Sequence, residues 1–339
     1  MPRRSSVGLA EVASLETLSA AFWRAARHAS ARVEVERFAA DLPAQLAGLR
    51  RDILEQRVPD DRWQELAVFD PKPRRVLAPC FRDRVLHHAL MLHMGPVLDR
   101  ALVADTFACR VGRGALAAVH RAQQHTRAHP WFVKVDMRSY FASIDHAILL
   151  ALLARRFKNP ALLGLCERIV RQAPPSGTDA HRGLPIGALT SQYFANSYLD
   201  GFDRFLLEHQ RVDGIVRYMD DVVWWCASRG QARDTLAAAR AFLAEHRRLT
   251  VKPDARIGRS IAGVTFLGFR ILPDALRLSL RRRRRHRAAR RRWEAHYLAG
   301  RADSRQLQRG YDSAHAIVQH AASLPWRRLE LARRPPLDA

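Results

Sequence analysis

Apolar residues recur at helical spacing through the first part of the chain. Leu15, Leu18, Phe22 and Ala25 fall on one face, and Val35, Phe38, Leu42, Leu46 and Leu49 repeat the pattern, so residues 11–57 are predicted helical. Residues 66–79 change character. Pro71, Pro73 and Pro79 interrupt short apolar stretches there, which suits extended segments and turns. Helical spacing returns from Arg82 to Leu98. Trp131-Phe-Val-Lys-Val-Asp136 is rich in aromatic and β-branched residues and predicts a strand. Asp145 stands where an N-cap belongs, before a helix from His146 to Arg156. Pro and Gly mark 173–189 as a loop, leading to a helix from Thr190 to about His209 with its cap at Thr190 or Ser191. Gly214 to Ala227 reads as strand, tight turn and strand, with Asp220-Asp221 at the turn. An Ala-rich helix over 231–248, a short strand over Thr265 to Ile271 and a basic helical segment from Ser279 complete the pattern. Helices and short strands in irregular order give an α+β class rather than a doubly wound sheet.

The 339 residues suit about two domains or one multi-lobed body. Lys and Arg number 57 against 33 Asp and Glu, a net charge of +24. Only four of these cations are Lys, so Arg is favoured as a type, but that preference does not create the surplus. A charge of this size repels itself unless a polyanion neutralises it, which points to nucleic acid. The cysteines, Cys80, Cys109, Cys166 and Cys226, have no C-x-x-C spacing and are expected to be small core residues in a reducing compartment. No apolar run reaches the length of about 18 residues that a membrane span needs. Met1 to Leu9 has no apolar signal core, so a cytoplasmic protein without a membrane partner is expected.

Chemistry concentrates in three segments. In Tyr218-Met219-Asp220-Asp221, adjacent carboxylates lie between Ile215-Val216 and Val222-Val223-Trp224-Trp225, where a buried charge must be solvated, capped or neutralised. Asp136 ends the predicted strand 131–136. Beside the Asp220-Asp221 turn it would complete a three-carboxylate cluster suited to two Mg²⁺ ions, with Mn²⁺ as an alternative and the Met137 carbonyl as a further oxygen ligand. Alone, Asp136 would read as a cap. In Arg182-Gly183-Leu-Pro-Ile186-Gly187-Ala-Leu-Thr-Ser191-Gln192 a Gly-Pro-Gly loop opens into a helix, and its glycines allow backbone to approach a planar ligand such as a base pair.

Taken in order, Asp136-x4-Phe141, Leu184-Pro-Ile-Gly187 with Ser191-Gln192, Tyr218-Met-Asp-Asp221 and Phe266-Leu-Gly-Phe269 resemble the motif series of reverse transcriptases, from about Phe69 to Ile271. The resemblance implies an RNA-directed DNA polymerase with the right-hand fold of fingers, palm and helical thumb. On that plan 1–65 is an N-terminal helical extension, 66–272 is fingers and palm, and 273–339 is the basic thumb and tail. Asp136, Asp220 and Asp221 match the family's metal-binding aspartates. Phe141 matches its steric gate against a ribonucleotide 2′-hydroxyl. Lys72 and Arg74 resemble the fingers cations that grip the incoming triphosphate, and Arg82, Arg84, His87 and His88 continue that pattern. Leu267 and Gly268 fall in the primer grip. Template RNA, a primer or cDNA strand and dNTPs are the implied partners.

Two departures narrow the branch. Ile186 stands where most reverse transcriptases have Gln, and Ser191-Gln192 where they have Ser-Pro. This pattern is similar to enzymes of diversity-generating retroelements, which copy with errors opposite adenine and bind a small basic oligomeric accessory protein. Uncharacterised and phage-defence reverse transcriptases share it, a group II intron protein is less expected because 68 residues follow Ile271, and a catalytically silent RNA-binding protein on the same fold is a third reading. Ile186 only packs where Gln could hydrogen-bond, so with Arg74 it is expected to weaken discrimination between right and wrong pairs. Between Arg277 and Arg292 lie ten arginines, including Arg281, Arg282, Arg284 and Arg285. Five in succession encircle a helix, as in any solvated basic segment. In the resemblance this helix is the thumb, and its arginines would bind duplex phosphates without reading sequence. Trp293, Tyr297 and Trp326 are expected to pack the thumb.

Overall fold

The computed structural model describes residues 3–27, 32–58, 62–69, 73–172, 179–316 and 318–337. Helices Leu9–Val12, Leu15–Ala26, Val33–Ala40 and Leu42–Leu54 gather around a long helix, Phe81–Ala101. Ser14 caps the second of them, accepting from Thr17 N at 3.1 Å. Leu18, Phe22, Phe38 and Leu49 are buried with Phe81 and Val85 as the pattern predicts, while Leu15, at the first helical position, stays 53% exposed. This core is continuous with that of the central sheet, so the first 65 residues share their interior with the rest of the chain.

Strands β1 (Trp63–Phe69) and β2 (Pro73–Pro79) form an antiparallel hairpin in the proline-interrupted region. Pro73 and Pro79 sit at its two ends, where proline's missing N–H is best tolerated. The central sheet holds β3 (Trp131–Asp136), β4 (Gly214–Tyr218), β5 (Asp221–Cys226) and β6 (Arg256–Arg259) in the order β4-β5-β3-β6, antiparallel throughout. Val133, Val135, Val222 and Trp224 belong to the core shared with helix Arg229–Arg247, and Phe132, Val223 and Trp225 to a second core with helix Ala115–Ala128. Burial on both faces explains why these strands read as apolar runs rather than alternating ones.

Asp145 caps helix His146–Ala154 as expected, accepting from Ile148 N at 3.1 Å. The single helix predicted from Thr190 to His209 is instead three pieces: Leu189–Tyr198, Asp200–Arg204 and a π-helical turn, Phe205–His209. The break has a cause. Arg247 Nε donates to Tyr198 O at 2.7 Å, and Phe202 N bonds Leu199 O instead. Thr190 and Ser191 are not the cap; Ala188 is, and Thr190 Oγ1 bonds the buried His87 Nδ1 at 2.9 Å. The strand expected over Thr265–Ile271 resolves into β7 (Val264–Phe266) and β8 (Phe269–Ile271), joined by Leu267 and Gly268 at φ +46° and +84°. With β9 (Leu276–Leu278) they form a second antiparallel sheet.

Helices Leu280–Leu298, Ser304–Ala316 and Leu324–Arg333 follow. Trp293 fills the space over Gly310, Trp326 packs on the apolar cluster beneath the second sheet, and Tyr297 is half-buried. All four cysteines are free, but only Cys166 and Cys226 are core residues. Cys80 sits half-buried at a helix N-cap and Cys109 half-buried at φ +54°. Among the described residues no helix is long and apolar enough to cross a membrane.

Candidate active site

The register of β3 on β5 places Asp136 directly opposite Asp221, and the β4–β5 turn carries Asp220 beside them. The sheet thus brings the three predicted aspartates to one end. It does not gather them on one point: among the described residues no three His, Cys, Asp or Glu side chains converge as metal ligands. Two lysines lie against them. Lys252 Nζ bonds Asp136 Oδ2 at 2.6 Å, and Lys134 Nζ lies 3.2 Å from Asp221 Oδ1. Burial pushes the Asp220 carboxyl up to about 7, with the charge of Asp136 adding to it. Burial likewise pushes Asp221 up to about 6, against the pull of Lys134. Burial would lower Lys252, but the Asp136 hydrogen bond and the surrounding carboxylates raise it.

These residues fit a divalent cation. Asp136 Oδ1 is buried without a hydrogen-bond partner, and the donors are hard carboxylate oxygens already drawing ammonium groups to them. The Met137–Val251 bridge is closed by Lys252 N to Asp136 O and Arg138 N to Thr250 O, so it does not use the Met137 carbonyl.

A group that sequence reasoning missed underlies the turn. Arg217 is fully buried in β4, with its guanidinium clamped on the equally buried Asp203 at 2.7 Å. It also donates to Asn196 Oδ1 at 2.8 Å, Asn196 O at 3.0 Å and Met219 O at 3.2 Å. Thr106 Oγ1 donates to Asp203, and Asn196 Nδ2 to Ala108 O. Met219 has φ +59°, a left-handed conformation unusual for a non-glycine residue. The signal in the sequence was an arginine between Val216 and Tyr218 in an otherwise apolar strand.

The loop before helix Leu189–Tyr198 is held on two sides. Gly183 N bonds Ile144 O at 2.8 Å and Leu184 N bonds Phe141 O at 2.9 Å, while Leu77 N of β2 bonds Ile186 O at 2.9 Å. Gly187, at φ +139°, needs its missing Cβ because one would lie 2.5 Å from Leu77 O. Strand β2 therefore packs directly against the α-carbon of Gly187, where a side chain would otherwise start. The Ile186 side chain is 38% exposed, Phe141 is half-buried against Tyr140, and exposed Gln192 accepts from Cys109 Sγ.

Several predicted contacts fall elsewhere. Lys72 and the Arg74 side chain lie outside the described residues. Arg82 pairs with Asp52 at 2.6 Å and Arg84 with Glu34, tying helix Phe81–Ala101 to the N-terminal helices. His87 is buried, with its pKa lowered to about 3 by desolvation and then by His88, so it is neutral and cannot grip phosphate. Of the arginine run, Arg281, Arg284 and Arg285 are exposed. Arg282 turns inward: it donates to Leu267 O at 3.1 Å and lies 4.8 Å over the Phe269 ring. It occupies the space Gly268 leaves open, which makes it a brace for the predicted primer-grip turn.

A family profile described as "Reverse transcriptase (RNA-dependent DNA polymerase)" matches residues 69–271. The group II intron-encoded protein LtrA of Lactococcus lactis subsp. cremoris is 24% identical over 151 residues, covering 43% of this chain and 25% of that protein. Protein YkfC of Escherichia coli K12 is 25% identical over 211 residues, covering 57% and 54%. The chain therefore spans between a quarter and about half of these relatives. Telomerase from Candida albicans, solved with a TWJ fragment of telomeric RNA, superposes with a TM-score of 0.48 at 10% identity over 69% of this chain and 48% of that one. The matched segment contains the aspartates, the loop at 183–192 and the β7–β8 turn, in an α+β right-hand polymerase fold, and the chain belongs to the reverse transcriptase family.

Proposed function

We propose that the chain is an RNA-directed DNA polymerase that uses two-metal nucleotidyl transfer, with Asp136, Asp220 and Asp221 as metal-binding carboxylates and Met137 O as a further ligand. The observation that carries this reading is the pairing of Asp136 with Asp221 beside the turn that presents Asp220. Two Mg²⁺ ions, when bound, would activate the primer 3′-hydroxyl and offset charge on the leaving pyrophosphate. The chain's own residues supply the rest. Arg217 fixes the turn, Phe141 excludes a ribose 2′-hydroxyl, and the β7–β8 turn, braced by Arg282, supports the primer. Template RNA, primer strand and dNTPs are the substrates, and Arg281, Arg284 and Arg285 contact duplex phosphates.

The finer reading is the error-prone polymerase of a diversity-generating retroelement, acting with a small basic accessory protein. It rests on Ile186 and Gln192, whose side chains remain accessible beside the loop. The test is primer extension on a defined RNA template with Mg²⁺ and four dNTPs, beside Asp220→Asn, with products sequenced. DNA made by the wild type alone supports the polymerase, and errors concentrated opposite adenine support the retroelement reading. Faithful or template-free DNA moves the assignment to a defence enzyme. RNA binding without any DNA, with the native RNA and partner supplied, leaves a silent binding protein.

A further inference from the structure

A second basic feature lies outside every segment so far assigned to catalysis. Arg3, Arg4, Ser5 and Ser6 line a cavity of about 380 Å³ together with Val97, Arg100 and Ala101 at the end of helix Phe81–Ala101 and with Arg155, Arg156 and Lys158 after helix His146–Ala154. The three segments are fastened together. Ser5 N bonds Arg156 O at 2.7 Å, Lys158 N bonds Ser5 O at 3.1 Å, and Arg156 is spent on Asp200 at 2.8 Å. Arg3, Arg4, Arg100, Arg155 and Lys158 are exposed, and none has a carboxylate partner among the described residues.

The composition of this lining selects a ligand. It has no acidic residue, so it attracts anions and does not neutralise itself. It has no aromatic ring to offer bases a stacking platform, which favours contact with the phosphate backbone over contact with bases. Serine hydroxyls and guanidinium forks suit phosphate oxygens. We infer that this cavity is a second nucleic-acid contact, which holds the phosphate backbone of the RNA outside the primed duplex and independently of sequence. The inference rests on the polymerase reading only in taking RNA as the polyanion. Its function would be to retain a long template while the short duplex in the active site advances.

The experiment compares the full chain with the triple variant Arg100→Gln, Arg155→Gln, Lys158→Gln. Two readouts are taken: binding of a structured RNA of about a hundred nucleotides across a salt series, and extension of a short pre-annealed RNA–DNA primer–template. Losing three phosphate contacts should lower the slope of log affinity against log salt by about 2–3 and weaken binding about tenfold or more at 0.15 M salt. Short-duplex extension and melting temperature should not change. An unchanged slope and affinity would overturn the inference. So would a parallel loss of short-duplex extension, because the cavity would then belong to the catalytic cleft. A wild type that neither extends a primer nor binds RNA would instead sink the polymerase reading itself.

Discussion

The Arg217 guanidinium bonds the main-chain carbonyl of Met219, 3.2 Å away, and so reaches past its own strand to hold the turn that carries Asp220. Its other bonds go to Asp203 and Asn196, on the helices that follow the 183–188 loop. A left-handed methionine costs of order 1–3 kcal/mol and persists only where its surroundings fix it. Arg217 supplies that constraint.

Removing one partner of this buried pair strands the other's charge. Arg217→Met or Asp203→Leu alone should cost about 3–5 kcal/mol in denaturant unfolding. The double variant should recover most of that loss, because an apolar pair of similar volume needs no desolvation. Its kcat should still fall about tenfold or more with little change in dNTP KM, since the turn has lost its brace. A double variant with wild-type kcat would reduce Arg217 to a structural residue.

Asp220 is a charge the fold tolerates at a cost. Burial and Asp136 raise its pKa from 3.8 to about 7. A raised carboxyl contributes stability that is complete below the unfolded value and is lost as pH rises through the folded one. Without divalent cations, Asp220→Asn should therefore be more stable than the wild type at pH 8, by up to about 4 kcal/mol. The difference should shrink as pH falls from 7 toward 4, while primer extension is abolished throughout. A gap that ignores pH would mean the Asp220 charge is not its source.

On the proposed reading, Ile186 is the residue through which fidelity would be tuned. Ile186→Gln should lower misincorporation opposite template adenine, read by sequencing the cDNA, because a hydrogen-bonding side chain can hold the incoming nucleotide where isoleucine only packs. An unchanged error spectrum would remove Ile186 from the account.

Gly187→Ala tests the seam between the loop and β2. The new methyl would meet Leu77 O at 2.5 Å and Val76 Cγ1 at 2.9 Å, on a backbone at φ +139°. The hairpin must shift, at a cost of about 2 kcal/mol or more, and dNTP KM should rise several-fold. A variant with wild-type stability and KM would show that the hairpin moves freely.

Arg282→Ala should loosen the β7–β8 turn without touching the aspartates. First-nucleotide incorporation should change little, whereas product length per binding event should fall a few-fold on a primed template. Equal loss in both would place Arg282 among general fold contacts.

Much of this site was legible because it is local. Asp136 ends a strand and Asp220-Asp221 ends a hairpin, and both follow from residue type and period. The cap at Asp145 and the proline-bounded hairpin were legible for the same reason. The helix break at Leu199 was not, because its cause, Arg247, is 49 residues away in sequence from the Tyr198 carbonyl it takes. The fates of Arg82, Arg84 and Arg282 were hidden likewise. Each is a cation in a basic segment, and only the opposing helix or turn decides whether it meets Asp52, Glu34, Leu267 O or solvent.

By itself the sequence determined the α+β order of elements, the identity of the three aspartates and the cationic surplus, because period, turn chemistry and charge act through near neighbours. Tertiary structure alone decided that Lys134 pairs with Asp221 and Lys252 with Asp136, that Arg217 and Asp203 support the turn, and that β2 fills the space beside Gly187. Ion pairs and steric closure depend on distances between segments, and those distances exist only once the β4-β5-β3-β6 sheet has set its register.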